Sequence, residues 1–109
     1  ALACSVANAS LKIIQQNDWQ TQVSQIERQL HAELAPCMDL ETVVDVRVIG
    51  AIGVVECKFA VNVAELQKAF VKQGVWMRPF GNIVYIMSPY IIDKHQLSQL
   101  TQAIYNVLK

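Results

Sequence analysis

Two neighbouring segments rich in β-branched residues limit most strongly what this chain can fold into. Residues 42–50 read TVVDVRVIG and residues 51–60 read AIGVVECKFA, so that Gly50 separates the two runs. Val and Ile favour extended backbone, because their branched side chains pack well on a pleated surface. Two such runs on either side of a glycine predict adjacent strands. Asp45 and Arg47 point to the same side of the first strand, which predicts that this face is at least partly wet.

A second pair of apolar runs follows later in the chain. Residues 75–80 read VWMRPF and residues 83–88 read IVYIMS, and Gly81-Asn82 stands between them. Glycine followed by asparagine suits a tight two-residue turn, so we predict two further strands joined there. Pro79 has no N–H to donate to a ladder. Its strand is therefore predicted to lie at a sheet edge or to break at that residue.

Four segments carry the apolar period and the end signals of helices. After Asp18 or Asn17, either of which can cap a helix, apolar residues recur at spacings of three and four up to Pro36. Asn62 with Glu65 three residues later is similar to a capping box. The predicted helices are residues 2–16, residues 19 to about 35, residues 62–73 and the segment that begins after Asp93.

The predicted order of elements is ααββαββα. Hairpin-linked strands with helices between them favour an α+β fold, in which a largely antiparallel sheet carries helices packed on one face. The length fits one domain, residues 1–109. No initiator Met and no cap precede the first helix, which indicates a helix that leads in from a longer chain. Its small residues Ala3, Ala7 and Ser10 share one face and permit close packing against another element.

Charge and cysteine content argue against several classes of function. Nine basic and nine acidic residues give a net charge of zero, and the basic ones are scattered, so nucleic acid or an anionic membrane is not expected as the main partner. No apolar run is long enough to span a bilayer. Cys4, Cys37 and Cys57 form no Cys-x-x-Cys pair and are odd in number, which favours the reducing cytoplasm. With 53% apolar and 17% charged residues, either the core is unusually full or some apolar surface is meant for a partner.

Most candidate motifs favour a structural interpretation. Gly50 and Gly53 lack the further glycines and the immediate helix that a phosphate-binding loop needs. His31 and His95 stand at no ligand spacing from a cysteine and lie on polar helix faces, which favours solvated histidines over a zinc site. The cysteines lie among apolar or small residues, where thiols are usually inert.

Arg78 is the exception, because it is the only charged residue in the stretch GVWMRPFGNIVYIMSPY, residues 74–90. It can extend into solvent from a sheet edge, or pair with a protein carboxylate such as Glu56. It can also grip an anionic ligand with its planar fork of donors, beside apolar walls. The residues alone leave both interpretations open.

Three segments together resemble the C-terminal part of class III pyridoxal-phosphate aminotransferases, in the form found in the biotin-synthesis branch. They are ALACSVANASLKII, DVRVIGAIGVVE and GVWMRPFGNIVYIMSPYII, and the likeness covers essentially the whole chain. The resemblance implies a fold type I homodimer with a large cofactor-binding domain and a small domain. This chain would then be the small C-terminal domain, and residues 1–16 the helix leading in from the large domain.

The resemblance also implies an activity, the transfer of an amino group from S-adenosylmethionine to 8-amino-7-oxononanoate, which yields 7,8-diaminononanoate. The family's arginine before the sequence PFG binds the acceptor's carboxylate, and here it falls on Arg78, with Tyr85 on the partner strand expected near it. Pyridoxal 5'-phosphate would be bound by the large domain, because none of the six lysines matches the context of the family's Schiff-base lysine. The sequence departs from the family at Ala1 and Ser88, where proline is frequent.

The residues by themselves are also consistent with two other classes of function. One is a free-standing α+β domain that uses Arg78 to bind a metabolite carboxylate without catalysis. The other is a module that serves only in assembly. A large domain with a lysine strand in the upstream coding sequence would favour the enzyme, and a native start codon near Ala1 would argue against it.

Overall fold

Helices and short strands alternate along the chain, and the computed structural model describes all of residues 1–109. Four α-helices and a three-stranded antiparallel sheet, whose strands lie side by side in chain order, confirm the α+β fold. No helix combines the length and the apolar content that crossing a bilayer requires. In chain order the elements are α1 (Leu2–Gln16), α2 (Trp19–Leu34), a 3-10 helix (Ala35–Asp39), β1 (Val43–Ile49), β2 (Ile52–Cys57), α3 (Val63–Lys72), β3 (Ile83–Met87) and α4 (Lys94–Leu108).

Side-chain caps set where three of the helices begin, as the sequence predicts. Asp18 accepts a hydrogen bond from the backbone N–H of Thr21 at 3.3 Å, and Asn62 caps α3 in the same way. At α4, Asp93 and Gln96 form a reciprocal capping box, with the Gln96 N–H 2.7 Å from Asp93 Oδ1. Each cap satisfies an N–H that has no partner within its helix.

The helices other than α1 lie on one face of the sheet, as predicted. α2 packs on β1 and β2, α4 packs on α2, and α3 packs on α4. Gly53 on β2 lies under α2, and a Cβ there would stand 2.7 Å from Leu34 Cδ1, so glycine permits the close approach of helix and sheet. The largest fully buried side chains of this core are Phe70, Leu30, Leu34, Leu97, Ile104, Val55 and Val84. Each contributes roughly 1.5–3 kcal/mol by its burial.

The strand predicted for residues 75–80 does not form, so the order of elements is ααββαβα rather than ααββαββα. Only Phe80 pairs, as an isolated bridge to Ile83 across a tight turn in which Gly81 has φ of 59°. The segment is still extended, since buried and exposed side chains alternate along it. The ring of Pro79 accounts for the break, because it holds φ near about −65° whereas an antiparallel strand needs about −140°. The backbone therefore leaves the edge of β3 next to the bridge.

Helix α1 extends away from the core. All of its residues are exposed, and the chain measures 49 × 28 × 22 Å. The radius of gyration of the whole chain is 15.8 Å, whereas a compact domain of this size has about 13 Å. Nothing in this chain packs on the small-residue face of Ala3, Ala7 and Ser10. The large apolar side chains that α1 exposes are Leu2, Val6, Leu11, Ile13 and Ile14.

Candidate functional site

Arg78 lies in the extended segment that leads into the β3 hairpin. Its neighbours Met77 and Pro79 are buried, while Arg78 itself is exposed. Burial of both flanking side chains turns the guanidinium away from the core, because side chains alternate along extended backbone. Arg78 makes no hydrogen bond and no ion pair with any other residue of the chain. Its charge is therefore free to meet a ligand.

Glu56, the carboxylate that the sequence offered as a partner for Arg78, is engaged elsewhere. Its Oε2 accepts from Arg47 Nη1 at 2.7 Å, and its Oε1 accepts from Asn82 Nδ2 at 3.2 Å. Arg47 Nη1 also donates to Asp45 at 2.6 Å. The hydrogen bonds to Glu56 and then to Asp45 raise the pKa of Arg47 above its ordinary value. These half-exposed groups confirm the wet sheet face, and the ion pairs contribute little to stability because solvent screens them.

A cavity of about 280 Å³ opens beside Arg78, which is the only charged residue that lines it. Tyr85, which was expected near Arg78, lines the same cavity. A ligand with an apolar chain and a terminal carboxylate suits these surroundings, because the guanidinium offers paired donors and the walls offer apolar contact. The lining residues are Trp76, Met77, Arg78, Tyr85, Ile86, Met87, Ser88, Pro89 and Leu100.

The hydroxyl of Ser88, which lines this cavity, has no hydrogen-bond partner although the residue is buried. Its backbone N–H makes one long hydrogen bond, 3.4 Å, to the carbonyl of Ala51. An unpaired buried hydroxyl costs about 1–3 kcal/mol, so this side chain does not stabilise the fold of the chain by itself. A proline at this position would lack that unpaired group.

A larger cleft between α2 and α4, about 490 Å³, offers no free ligand-binding group of comparable kind. Its carboxylate, Glu33, accepts from Ser98 Oγ and from Thr101 Oγ1 at 2.6 Å each, and from Gln29 Nε2 at 3.0 Å. Both carboxylate oxygens are therefore used in a network that ties α4 to α2. We interpret this cleft as structural.

The residues of this chain do not form a pyridoxal-phosphate site. A Schiff-base lysine needs an amine shielded from solvent, beside groups that hold the phosphate. Every lysine here is exposed, and none lines the cavity beside Arg78. The lysines are Lys12, Lys58, Lys68, Lys72, Lys94 and Lys109.

The buried cysteines have the properties of inert thiols. Burial raises the pKa of Cys37, with a smaller contribution from nearby Cys57, and burial also raises the pKa of Cys57. The reactive thiolate is thereby disfavoured at both positions. His31 and His95 are exposed, and no group of three or more His, Cys, Asp or Glu side chains is placed to hold a metal ion.

The side chain of Asn82, in the turn after Arg78, makes contacts that the sequence does not predict. Asn82 was expected only to shape the turn, but its side-chain amide also reaches across to β2, where it donates to Glu56 and to the carbonyl of Cys57. The dipeptide Gly-Asn signals a turn, whereas these partners depend on how the hairpin lies against β2. No local signal in the sequence specifies that arrangement.

Comparison with known proteins places this chain in a family. A family model described as Aminotransferase class-III matches residues 1–108. The adenosylmethionine-8-amino-7-oxononanoate aminotransferase of Buchnera aphidicola subsp. Acyrthosiphon pisum is 52% identical over 107 residues, which is 98% of this chain and 25% of that protein. The Corynebacterium glutamicum protein of the same name is 48% identical over 108 residues, 99% of this chain and 26% of that protein. The chain thus spans about a quarter of the length of the curated relatives it matches.

Solved structures agree with this fold. The adenosylmethionine-8-amino-7-oxononanoate aminotransferase of Methanocaldococcus jannaschii gives a TM-score of 0.84 at 25% identity, covering 96% of this chain and 26% of that chain. The acetylornithine aminotransferase of Elizabethkingia anophelis gives 0.84 at 21% identity over 98% of this chain and 29% of that chain, a likeness of fold alone. The family match agrees with the resemblance that the three sequence segments carry. This chain belongs to the class III aminotransferase family.

Proposed function

We propose that this chain is the small C-terminal domain of a pyridoxal-phosphate-dependent aminotransferase that converts 8-amino-7-oxononanoate to 7,8-diaminononanoate with S-adenosylmethionine as amino donor. Relatives about half identical to it carry the name of that aminotransferase. The structural observation that carries the proposal is the unpaired guanidinium of Arg78 beside an apolar cavity. A free-standing binding domain is not favoured, because the chain matches only about a quarter of relatives that are themselves named aminotransferases.

In this function Arg78 anchors the acceptor by its carboxylate. The acceptor is an apolar chain with an anionic end, so it needs a cationic fork at one end of a pocket and apolar walls along it. Trp76, Met87 and Tyr85 line such walls in the cavity beside Arg78. The anchor fixes the distance from the carboxylate to the reacting ketone and thereby selects acceptors by length.

Pyridoxal 5'-phosphate, when bound, supplies the electron sink that amino transfer requires. Because the lysines of this chain are all exposed, we assign the cofactor and its lysine to a large domain outside these residues. Residues 1–16 would lead in from that domain. We further propose that the whole protein works as a homodimer in the cytoplasm.

Assay of the full-length protein tests this function directly. With pyridoxal phosphate, S-adenosylmethionine and 8-amino-7-oxononanoate, we expect 7,8-diaminononanoate, detected by mass spectrometry. The methyl ester of the acceptor, which keeps the chain but lacks the charge, should react much more slowly because Arg78 loses its partner. Absence of product would contradict the proposed reaction. Equal rates with the acid and the ester would contradict the proposed role of Arg78.

The exposed apolar face of α1 leads us to a separate prediction, that the isolated chain associates with itself. If the large domain normally covers the face, the isolated chain should self-associate through it, because exposed apolar patches of this kind drive association. Ala7→Glu combined with Ile14→Glu should give a monomer by sedimentation velocity. Asn8→Glu combined with Gln15→Glu, which adds the same charge on the polar face, should leave association unchanged. A monomeric parent chain at high concentration would contradict this prediction.

A further inference from the structure

The backbone that carries Arg78 has almost no hydrogen bonds of its own. Between Val75, whose N–H donates to the carbonyl of Phe70 at 3.1 Å, and Phe80, no residue makes a backbone hydrogen bond. Ladder hydrogen bonds would normally fix such an extended segment against β3. The position of Arg78 is therefore set by the two ends of the segment and by the burial of its neighbours.

The end that follows Arg78 is held firmly. Phe80 and Ile83 exchange two hydrogen bonds of 2.9 Å across the turn. The two turn carbonyls are also used, since Gly81 accepts from the N–H of Val61 at 3.0 Å and Asn82 accepts from the N–H of Cys57 at 2.7 Å. The turn is thus bound to β2 and to the loop that follows it.

The side chain of Asn82 completes this attachment. Its Nδ2 donates to the carbonyl of Cys57 at 3.1 Å and to Glu56 Oε1 at 3.2 Å. Both partners are acceptors, so only the nitrogen of the amide can face them. The second oxygen of Glu56 is bound by Arg47, which holds the carboxylate in place. A chain of side chains therefore runs from β1 through β2 to the turn after Arg78.

We propose that Asn82 is a positioning residue for Arg78, an inference that rests on the proposed function. Its amide locks the turn onto β2 and so sets where the unsupported segment presents the guanidinium to the acceptor carboxylate. A forked pair depends strongly on orientation, and a small displacement of one partner weakens both of its hydrogen bonds. Asn82 itself lines no part of the cavity beside Arg78. It acts through Arg78 and not by contact with the ligand.

The test is a double-mutant cycle in the full-length protein with single-turnover half-reactions. Asn82→Ala should lower kcat/KM for 8-amino-7-oxononanoate about three- to tenfold, the loss that one or two hydrogen bonds produce. The half-reaction with the amino donor should change less than about twofold. In an Arg78→Ala background, Asn82→Ala should have almost no further effect on the acceptor, because the group it positions is gone.

Two further variants separate the effect of the Asn82 donor from a general effect of removing an asparagine side chain. Asn82→Asp keeps the volume of the side chain but replaces its donor by an acceptor facing Glu56, so it should lose at least as much as the alanine variant. Asn106→Ala is the matched control, because Asn106 is an exposed asparagine whose amide makes a similar side-chain hydrogen bond, 3.3 Å to Gln73, on α4. It should leave both half-reactions unchanged.

Each outcome either supports or contradicts the positioning role of Asn82. Losses on the acceptor alone that disappear in the Arg78→Ala background support the inference. If Arg78→Ala slows the acceptor but Asn82→Ala does not, or if the two losses multiply, the positioning role is wrong and the proposed function stands. Equal losses in both half-reactions with a lowered melting temperature mean that Asn82 is structural only. If Arg78→Ala itself leaves the acceptor unaffected, the proposed role of Arg78 is wrong and the positioning role fails with it, whereas the proposed reaction is contradicted only if the full-length protein gives no product.

Discussion

Arg78→Ala in the full-length protein is expected to lower kcat/KM for 8-amino-7-oxononanoate about ten- to hundredfold. A charge-assisted hydrogen-bonded pair contributes about 1.5–3 kcal/mol, and each 1.4 kcal/mol corresponds to about tenfold. Arg78→Lys should recover only part of the loss, because an ammonium cannot present the same planar fork. The half-reaction with S-adenosylmethionine should suffer less, since the donor has a different shape and charge. Single-turnover measurements of each half-reaction separate these effects.

The fold should barely change in this variant, because Arg78 is exposed and makes no hydrogen bond within the chain. A melting curve is therefore the first control. Arg28→Ala is the matched control for charge, since Arg28 is also exposed and bonds only the Ser24 carbonyl within its own helix, at 3.3 Å. It should leave acceptor kinetics unaltered. Equal losses in both half-reactions of Arg78→Ala, with a collapsed melting temperature, would show that Arg78 is structural.

The 109-residue chain alone is expected to fold and yet to have no transaminase turnover. The core of α2, α3, α4 and the sheet lies within the chain, whereas no lysine is shielded as a Schiff-base amine must be. Mixed with pyridoxal phosphate, the chain should show no specific internal-aldimine absorbance. The full-length protein under the same conditions should show that band and turn over substrate.

Exposed lysines form weak aldimines with any free aldehyde, so the control must separate specific from random reaction. Borohydride reduction followed by peptide mass mapping should find sparse modification spread over the six lysines of the chain. Stoichiometric modification of a single lysine, or measurable turnover by the chain alone, would contradict the assignment of the cofactor to a large domain.

Features fixed by residues close together in the chain could be predicted from the sequence. Asp18, Asn62 and Asp93 cap their helices, and the Gly81-Asn82 turn forms, because each depends on hydrogen bonds within three or four residues. The α+β class follows from the same local signals. The apolar surroundings of Arg78 could also be predicted, because the residues next to it in the sequence are apolar.

Tertiary structure decided what depends on distant residues. The sequence offered Glu56 as a partner for Arg78, but antiparallel register sets Glu56 opposite Asp45 on β1, within reach of Arg47 on the same strand. Residues 75–79 are extended but unpaired, because Pro79 turns them from the edge of β3 next to the Phe80–Ile83 bridge. Arg78 therefore has no carboxylate partner, because the pairing of β1 with β2 gives Glu56 to Arg47. A sequence states which residues carry charge, whereas the distances that pair those charges arise only when the strands align.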